Sequence, residues 1–190
     1  MEGRYNMNYN TNSTSYDDRE RCHFYYKVGV CRHGNKCSKK HIPPANSRSI
    51  VVLNMIAFQS DGTRMSDVDF DGYYEDVFIE LCKFGKIKSF LITENGNDHL
   101  RGNVYALYDN VRSAKEARDS LNTRWYNEKP LYSDLTHIVD FNDAICRKYD
   151  VGSCDRGNEC NFMHVRRPSP SLKSDLDRSQ AKKWQSQGQN

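Results

Sequence analysis

Apolar residues in the middle of the chain fall first into a short run and then into helical spacing. The β-branched run at residues 49–54 predicts a buried strand. After a loop at about residues 57–66, apolar residues step by four, three, one and three from Phe70 to Leu81, which is the spacing of one helix face. Gly85 is expected to end that helix. The domain therefore begins with a strand and a helix.

A second half of similar pattern follows. Strands are predicted at residues 86–93 and 102–108, on either side of a Glu-Asn-Gly-Asn-Asp turn. Asp109 or Asn110 can cap a second helix, and a fourth strand is predicted at residues 131–136. The inward-facing residues of that helix are Val111, Ala114, Ala117 and Leu121. The order βαββαβ predicts an α+β fold of the ferredoxin-like type.

Segments on both sides of this domain carry matched sets of cysteine and histidine. The first has the spacing C-x8-C-x5-C-x3-H and the second C-x7-C-x5-C-x3-H. With 7 Cys and 6 His in 190 residues, a chance C-x5-C-x3-H is expected roughly 0.008 times. The predicted metal ligands are Cys22, Cys31, Cys37 and His41 in the first set, and Cys146, Cys154, Cys160 and His164 in the second.

Three thiolates and one imidazole complete the tetrahedral coordination of zinc. A zinc site with no vacant position is structural, which argues against a zinc enzyme. Segments of about twenty residues with so few aliphatic side chains need ligation, worth roughly 10–16 kcal/mol, in place of a core. We therefore predict two structural Zn²⁺ ions, with disulfides or scattered thiols as the alternative. Cys82 belongs to neither set and is interpreted as a buried helix residue rather than a reactive thiol.

Composition limits the partners and the compartment. The net charge is only +3, but residues 19–48 hold eight Lys or Arg against one Glu, whereas residues 67–80 hold six acids and no base. The basic segment around the first ligand set indicates a polyanionic partner. The acidic helix indicates a second partner that is basic. No apolar run of 18 residues and no signal sequence is present, and zinc thiolates suit the cytosol or nucleus.

Five regions are predicted from these features. Residues 140–149 have helical spacing and are expected to lock the second finger onto the sheet, and Ser169 can cap a helix reaching about residue 185. The regions are a disordered tail (1–16), a first CCCH finger (17–43), the βαββαβ domain (47–138), a linker helix with the second finger (140–168), and a C-terminal helix or tail (169–190).

The third strand resembles the RNP1 segment of RNA recognition motifs. Arg101, Gly102, Tyr105 and Tyr108 match the motif K/R-G-F/Y-G/A-F-V-x-F/Y. Asn103 replaces its first stacking aromatic residue, and on the first strand Val51 replaces another. Each lost stacking position is worth roughly 1–3 kcal/mol per base, so the sheet is expected to bind RNA poorly.

An acidic helix face and an aromatic loop suggest a protein-binding site instead. Asp76 and Glu80 lie four residues apart, where like charges repel, and a basic ligand would relieve that repulsion. Arg124, Trp125 and Tyr126 follow the second helix, with Tyr126 at a core position and Trp125 exposed. Arg and Trp are typical interface anchors. The alternatives are a solvated helix face and a Trp125 that folds onto its own domain.

This combination resembles the U2AF homology motif, and the flanking fingers narrow the resemblance to the small-subunit family of the U2 auxiliary factor. The family pattern CxFYxKxGxCRHGxxCSxxH is matched at residues 22–41, GDHLxGNVY is similar to residues 97–105, and CNFMH occurs at residues 160–164. The resemblance covers residues 20–170. It implies a nuclear, non-enzymatic splicing factor that recognises the AG at the 3′ end of introns. It also implies a heterodimer with a large subunit that supplies a basic peptide containing a Trp. Tyr126 stands where the motif has Phe, and the family's arginine-serine-rich tail is absent from this sequence.

The two fingers carry the residue types that bind single-stranded RNA. Aromatic rings stack bases, while Lys and Arg follow the phosphates. The candidates in the first finger are Phe24 or Tyr26 for stacking, Lys27 and Arg32 for charge, and Ser38; those in the second are Arg147, Arg156 and Phe162. These aromatic residues have an alternative role in packing over the zinc. We expect both fingers to share one composite RNA surface, with the sheet as scaffold.

Two other functions remain open on the sequence alone. A CCCH protein of mRNA turnover or export would bind RNA outside intron ends, and an interaction scaffold would use its fingers on protein. An enzyme is least consistent with the sequence, because it offers no nucleophile, base or open metal site.

Overall fold

The helices and strands are those of a computed structural model that describes residues 19–58 and 64–187. In these ranges the helices are α1 (His23–Val28), α2 (Asp67–Leu81), α3 (Val111–Leu121), α4 (Arg147–Asp150) and α5 (Pro170–Gln187). The strands are β1 (Ser49–Val52), β2 (Ile87–Thr93), β3 (Val104–Tyr108), β4 (Trp125–Tyr126), β5 (Lys129–Pro130), β6 (Ser133–Leu135) and β7 (Val165–Arg166). The predicted disordered tail, and part of the loop at residues 57–66, lie outside the described residues.

Five strands form one antiparallel sheet in the order β6-β1-β3-β2-β7. The first four follow the predicted βαββαβ order, with β6 as the fourth strand. Alternate residues of each strand face opposite sides. Ile50 and Ala106 pack with α2 and α3 in one core, while Val51 and Tyr105 belong to a second cluster on the other side. The α+β prediction is confirmed.

The second cluster covers the sheet face that an RNA recognition motif would expose. Val28 of the first finger and Met163 of the second are both fully buried in it. Beneath them Val51 is 2 % exposed and Tyr105 0 %. The chain is therefore a three-layer structure with helices on one side of the sheet and both fingers on the other.

Cap residues set the ends of both long helices. The Ser66 hydroxyl accepts a hydrogen bond from the Asp69 amide at the start of α2, and the Asn110 side chain does the same for Ser113 at the start of α3. The helix α2 ends at Leu81, four residues before Gly85. Cys82 follows it and is buried, as predicted, and burial raises the pKa of its thiol to about 11.

The linker helix predicted at residues 140–149 is wrong. The segment forms a 3₁₀ turn at Phe141–Asp143 and the short helix α4, with a β-bridge from Ile145 to Met163 between them. This bridge interrupts the helix: the Met163 amide donates to the Ala144 carbonyl at 2.9 Å, and the Cys146 amide donates to the Met163 carbonyl at 2.9 Å. Phe141 and Ala144 nevertheless pack against the sheet, as expected.

The C-terminal helix and the last finger protect the edge of the sheet. An uncovered edge strand presents unpaired backbone groups to other chains. The strand β7 pairs with Ile92 and Thr93 at one end of β2. At the other end, the Gln180 side chain of α5 accepts a hydrogen bond from the Ile87 amide at 2.7 Å and donates to its carbonyl at 3.0 Å. Ser169 begins this helix as predicted, since its hydroxyl accepts a bond from the Leu172 amide at 3.4 Å.

Within the described ranges, none of the helices combines the length and the apolar character needed to cross a bilayer.

The two bonds of Gln180 predict a measurable contribution to stability. Gln180→Ala leaves the Ile87 amide and carbonyl without their side-chain partner, and we expect it to lower the free energy of unfolding by about 1–3 kcal/mol. Denaturant unfolding measures this loss, and amide hydrogen exchange at Ile87 should accelerate. Gln185→Ala is the matched control, because Gln185 is exposed on the same helix. Equal stability of the two variants would contradict the assignment.

Candidate metal centres and nucleic-acid interface

The first finger folds its four ligands into one cluster. Cys22 precedes α1, which ends at Gly29 in the left-handed conformation (φ +82°), and this reversal leads the chain to Cys31. The 3₁₀ turn Gly34–Lys36 then brings in Cys37. The ligand atoms of this set all lie within 4.8 Å of one another. Tetrahedral zinc with Zn–S bonds of about 2.3 Å requires sulfurs about 3.8 Å apart, and the Cys31 and Cys37 sulfurs are separated by 3.9 Å.

The second finger repeats this path. Its ligand atoms also lie within 4.8 Å of one another, and the Cys146 and Cys154 sulfurs are 3.8 Å apart. The turn Gly157–Glu159 occupies the place of Gly34–Lys36, and Gly34 and Gly157 have the same φ of +46°. The internal repeat found in the sequence is therefore a repeat of structure.

Both sites fit zinc chemically. The Nε2 atoms of His41 and His164 are buried and have no hydrogen-bond partner, as a metal-binding nitrogen requires. Burial lowers the pKa of both imidazoles, which favours the neutral form that binds metal. The prediction of two structural zinc sites is confirmed. In each finger, metal ligation takes the place of the hydrophobic core that its few apolar side chains cannot form.

Two tyrosines that the sequence analysis missed support the histidine ligands. Tyr25 stacks on His41 at 4.5 Å between ring centroids, and Tyr149 stacks on His164 at 3.9 Å. The Tyr149 hydroxyl donates to the Glu94 carboxylate at 2.7 Å. Each tyrosine lies three residues after the first cysteine of its set, so the internal repeat held the signal.

The loop between β2 and β3 holds the backbone of the second finger. The buried Asn95 side chain accepts from the His164 amide at 2.9 Å and donates to the Phe162 carbonyl at 2.9 Å. The Asn97 side chain donates to the carbonyls of Asn158 at 3.0 Å and Cys160 at 2.8 Å. These four bonds fix the second finger on the sheet.

The fingers also contact each other directly. The rings of Phe24 and Phe162 meet edge to face at 6.1 Å, and the Lys27 ammonium lies 5.6 Å from the centroid of Phe162. Arg32 forms an ion pair with Glu159 at 2.9 Å. Three predicted RNA-binding residues of the first finger thus meet the second finger along one seam: Phe24, Lys27 and Arg32.

A cavity of 460 Å³ opens beside this seam. Phe162 lines it together with four basic residues, Lys27, Arg147, Lys148 and Arg156. Arg147 and Arg156 are exposed, and the described residues provide neither with an ion-pair partner. Lys148 was missed in the sequence analysis, although it follows Arg147 directly.

Three predicted RNA contacts are placed differently from expectation. The Tyr26 ring stacks on His137 at 4.1 Å, and the Arg21 guanidinium lies 5.4 Å from its centroid, so Tyr26 is already occupied by the protein. Arg32 is engaged by Glu159. Ser38 is exposed beside Cys37 but does not line the cavity next to Phe162. Phe24 is half-buried against Phe162 and stays the stacking candidate of the first finger.

A second cavity, of 360 Å³, lies between α2 and the loop after α3. Its walls include Met55, Asp76, Val77, Glu80, Leu121, Arg124, Trp125, Tyr126 and Leu131. All five residues predicted to bind a partner therefore surround one space. Trp125 is 70 % exposed on the β4–β5 hairpin, so it does not fold onto its own domain. Tyr126 is half-buried against the core and tilts towards Tyr73 at 6.5 Å.

The acids of this cavity are not equivalent. Arg124 binds Glu80 at 2.6 Å, and Lys83 contacts the same carboxylate. These hydrogen bonds, first from Lys83 and then from Arg124, lower the pKa of Glu80. Glu80 is thus neutralised within the chain, contrary to its expected role as an open acid. Asp76 is exposed and forms no ion pair within the described part of the chain.

The two clusters predict a metal stoichiometry. We expect two zinc ions per chain in the wild type and one in His41→Ala or His164→Ala, because each change removes a ligand from one complete set. Elemental analysis of the reduced, desalted protein measures this. His33→Ala is the matched control, since His33 is exposed on the first finger and is no ligand. Loss of zinc from His33→Ala, or fewer than two ions in the wild type, would contradict the assignment.

Comparisons with known proteins identify a zinc-finger family model that matches the second finger, and relatives that match most of the chain. Residues 141–166 match the family model described as zinc finger C-x8-C-x5-C-x3-H type (and similar). The splicing factor U2AF 23 kDa subunit of Schizosaccharomyces pombe is 41 % identical over 172 residues, covering 87 % of this chain and 80 % of that protein. The mouse splicing factor U2AF 26 kDa subunit is 40 % identical over 172 residues, covering 84 % and 78 %.

A third relative, the splicing factor U2af 38 kDa subunit of Drosophila melanogaster, is 38 % identical over 171 residues, covering 82 % of this chain and 65 % of that protein. These relationships extend over the fingers and the central domain together. The chain therefore belongs to the family of U2AF small subunits, which are splicing factors.

Proposed function

We propose that this chain is the RNA-reading subunit of a nuclear splicing heterodimer, and that its two fingers recognise the AG dinucleotide at the 3′ end of introns. One observation carries the proposal: both fingers lie side by side on one sheet face, and Lys27 of the first joins Phe162 and the basic residues of the second in lining one cavity. Family membership supports the splicing role. It also favours intron ends over mRNA turnover or export.

The chemistry of the cavity suits single-stranded RNA. Its volume of 460 Å³ is within the range of small-molecule sites, about 300–1,000 Å³, and is adequate for an unstacked base. Phe162 lines the cavity with its half-buried aromatic ring, and Arg147 and Arg156 are exposed for phosphate contacts. A base in this position would contact the seam between the fingers, so both fingers would contribute to its recognition.

The sheet itself is excluded as the RNA platform. Tyr105, the matched RNP1 aromatic residue, is fully buried, and its ring centroid lies 6.0 Å from that of Phe141 in an edge-to-face arrangement. Val51 beside it is 2 % exposed. Any base stacking on this face would have to displace both fingers. The fingers therefore replace the sheet as the RNA-binding surface in this proposal.

We further propose that a large subunit binds the opposite side of the domain. The cavity between α2 and the Trp125 hairpin has apolar walls, with the open acid Asp76 and the ion pair Arg124–Glu80 at its rim. This arrangement suits a peptide Trp flanked by basic residues, with the peptide Trp inside and a basic neighbour facing Asp76. The exposed ring of Trp125 would then be covered by the peptide.

The first test concerns Phe162. Phe162→Leu keeps most of the apolar volume but removes the aromatic face, and we expect at least about a fivefold loss of affinity, since stacking is worth roughly 1–3 kcal/mol per base. Fluorescence anisotropy with a short single-stranded RNA containing AG measures it, against the same RNA with the dinucleotide reversed. Phe84→Leu is the matched control, because Phe84 packs against the helix-side core. Equal affinity of the wild type for both RNAs, or full affinity of Phe162→Leu, would contradict the proposal.

A test of the partner site uses Trp125. Trp125→Ala should weaken binding of a synthetic basic peptide containing one Trp by about 2–4 kcal/mol, as expected for an interface anchor. Asp76→Asn should chiefly slow association and reduce its salt dependence. Titration calorimetry and stopped-flow mixing measure the two effects.

Two controls accompany the partner test. Val151→Ala removes an equally exposed apolar residue from the second finger, 76 % exposed, and should leave peptide binding unchanged. A peptide with its Trp replaced by Ala should bind weakly to every variant. The site would be wrong if Trp125→Ala bound the Trp peptide as tightly as the wild type does.

A further inference from the structure

Among the described residues, one ion pair joins the two fingers, and it lies between the second and third ligands of each set. A terminal nitrogen of Arg32 donates to the backbone carbonyl of Glu159 at 3.0 Å and lies 2.9 Å from its carboxylate. Arg32 lies two residues before the turn Gly34–Lys36, and Glu159 ends the corresponding turn Gly157–Glu159. The contact spans 127 residues of sequence and links two exposed turns.

Each turn lies between two cysteine ligands of its own finger, so zinc fixes its ends within that finger but does not connect it to the other finger. The residues of Gly34–Lys36 and Gly157–Glu159 are exposed, whereas the neighbouring parts of each finger are buried on the sheet. In the second finger, Asn97 holds the Asn158 carbonyl, so its turn is anchored to the domain. The first turn gains its connection to this anchor through Arg32.

Glu159 is unexpected in an RNA-binding finger unless it has such a role. Its side chain is 78 % exposed and places a negative charge next to the seam where RNA is proposed to bind. A carboxylate there repels phosphates. Its pairing with Arg32 gives it a purpose that RNA binding alone does not.

We propose that Arg32 is a positioning residue that acts through Glu159: it braces the two turns at a fixed spacing, so that RNA meets a preformed composite surface. This rests on the proposed RNA-binding function. When the spacing between the two turns is fixed in advance, RNA binding does not have to include the entropic cost of ordering them. The fixed spacing also raises the effective concentration of the second finger once the first has bound RNA.

If Arg32 holds the two turns together, Glu159→Ala should lower RNA affinity; if Arg32 only contacts a phosphate, the same change should raise it. If Arg32 only held a phosphate, Glu159→Ala would free it and remove a repulsive charge, so RNA affinity would rise. With the brace, Glu159→Ala lowers RNA affinity about two- to fivefold, within the range expected for one exposed ion pair. Glu75→Ala is the matched control, because Glu75 is an exposed acid on α2, away from the fingers, that forms no ion pair with the described residues. It should leave RNA affinity unchanged.

Salt dependence supplies a second readout. Arg32→Gln should weaken RNA binding without changing the slope of log K against log[salt], because no phosphate contact is lost. A direct contact would reduce the magnitude of that slope by about 0.7 for single-stranded RNA. The exchange Arg32→Glu with Glu159→Arg should recover most of the affinity lost in either single change, whereas each single change leaves two like charges facing each other.

A third readout needs no RNA. Amide ¹⁵N relaxation of the zinc-loaded, RNA-free protein should show increased motion at residues 32–36 and 157–159 in Glu159→Ala but not in Glu75→Ala. Elemental analysis confirms two zinc ions in each variant. Tighter RNA binding by Glu159→Ala, or unchanged relaxation, overturns the brace. A wild type that fails to bind RNA overturns the proposed function instead, while the relaxation measurement still tests the contact.

Discussion

Zinc ligation is the interaction on which the arrangement of this chain depends. Each finger contributes only a few apolar side chains, too few to order twenty residues alone, but once the metal fixes the backbone these side chains lie in register over the sheet. Val28 from one finger and Met163 from the other then complete the cluster that buries Val51 and Tyr105. The metal sites thus determine which sheet face is closed. They also determine where exposed basic and aromatic residues remain.

Short-range sequence patterns were sufficient to predict the helices α2 and α3 and the metal ligands. The 3.6-residue spacing from Phe70 to Leu81, the Asn110 cap and the C-x5-C-x3-H repeats are properties of short segments, and each was found as predicted. The partner residues were also brought together, because a βαββαβ order places the loop after the second helix beside the first. These patterns specify the geometry within one helix or strand, and the relative position of segments that the βαββαβ order places side by side.

Contacts between distant segments were not predictable in this way. Residues 140–149 have helical spacing, yet Ile145 forms a β-bridge with Met163 and the backbone at Cys146 is extended, so tertiary hydrogen bonds prevailed over local preference. Tyr26 has the residue type for base stacking, but His137 occupies its ring. Arg32 and Glu80 have the charges expected of binding residues, but each is paired inside the protein. A residue type indicates chemical capability, and only the fold decides which partner uses it.

The segregation of charge across the sheet has a consequence for the two proposed partners. The acidic helix α2 packs on one face of the sheet and the basic fingers on the other. Layers of a domain are about 10 Å apart, and the Debye length at physiological ionic strength is about 8 Å, so the two charged surfaces are largely screened from each other. In the proposed complex, RNA and a basic peptide would then bind at the same time without competing for charge. Each surface also repels the other's ligand, because acids on α2 disfavour phosphates and cations on the fingers disfavour a basic peptide. The sheet therefore separates two binding reactions that would interfere if they shared one face.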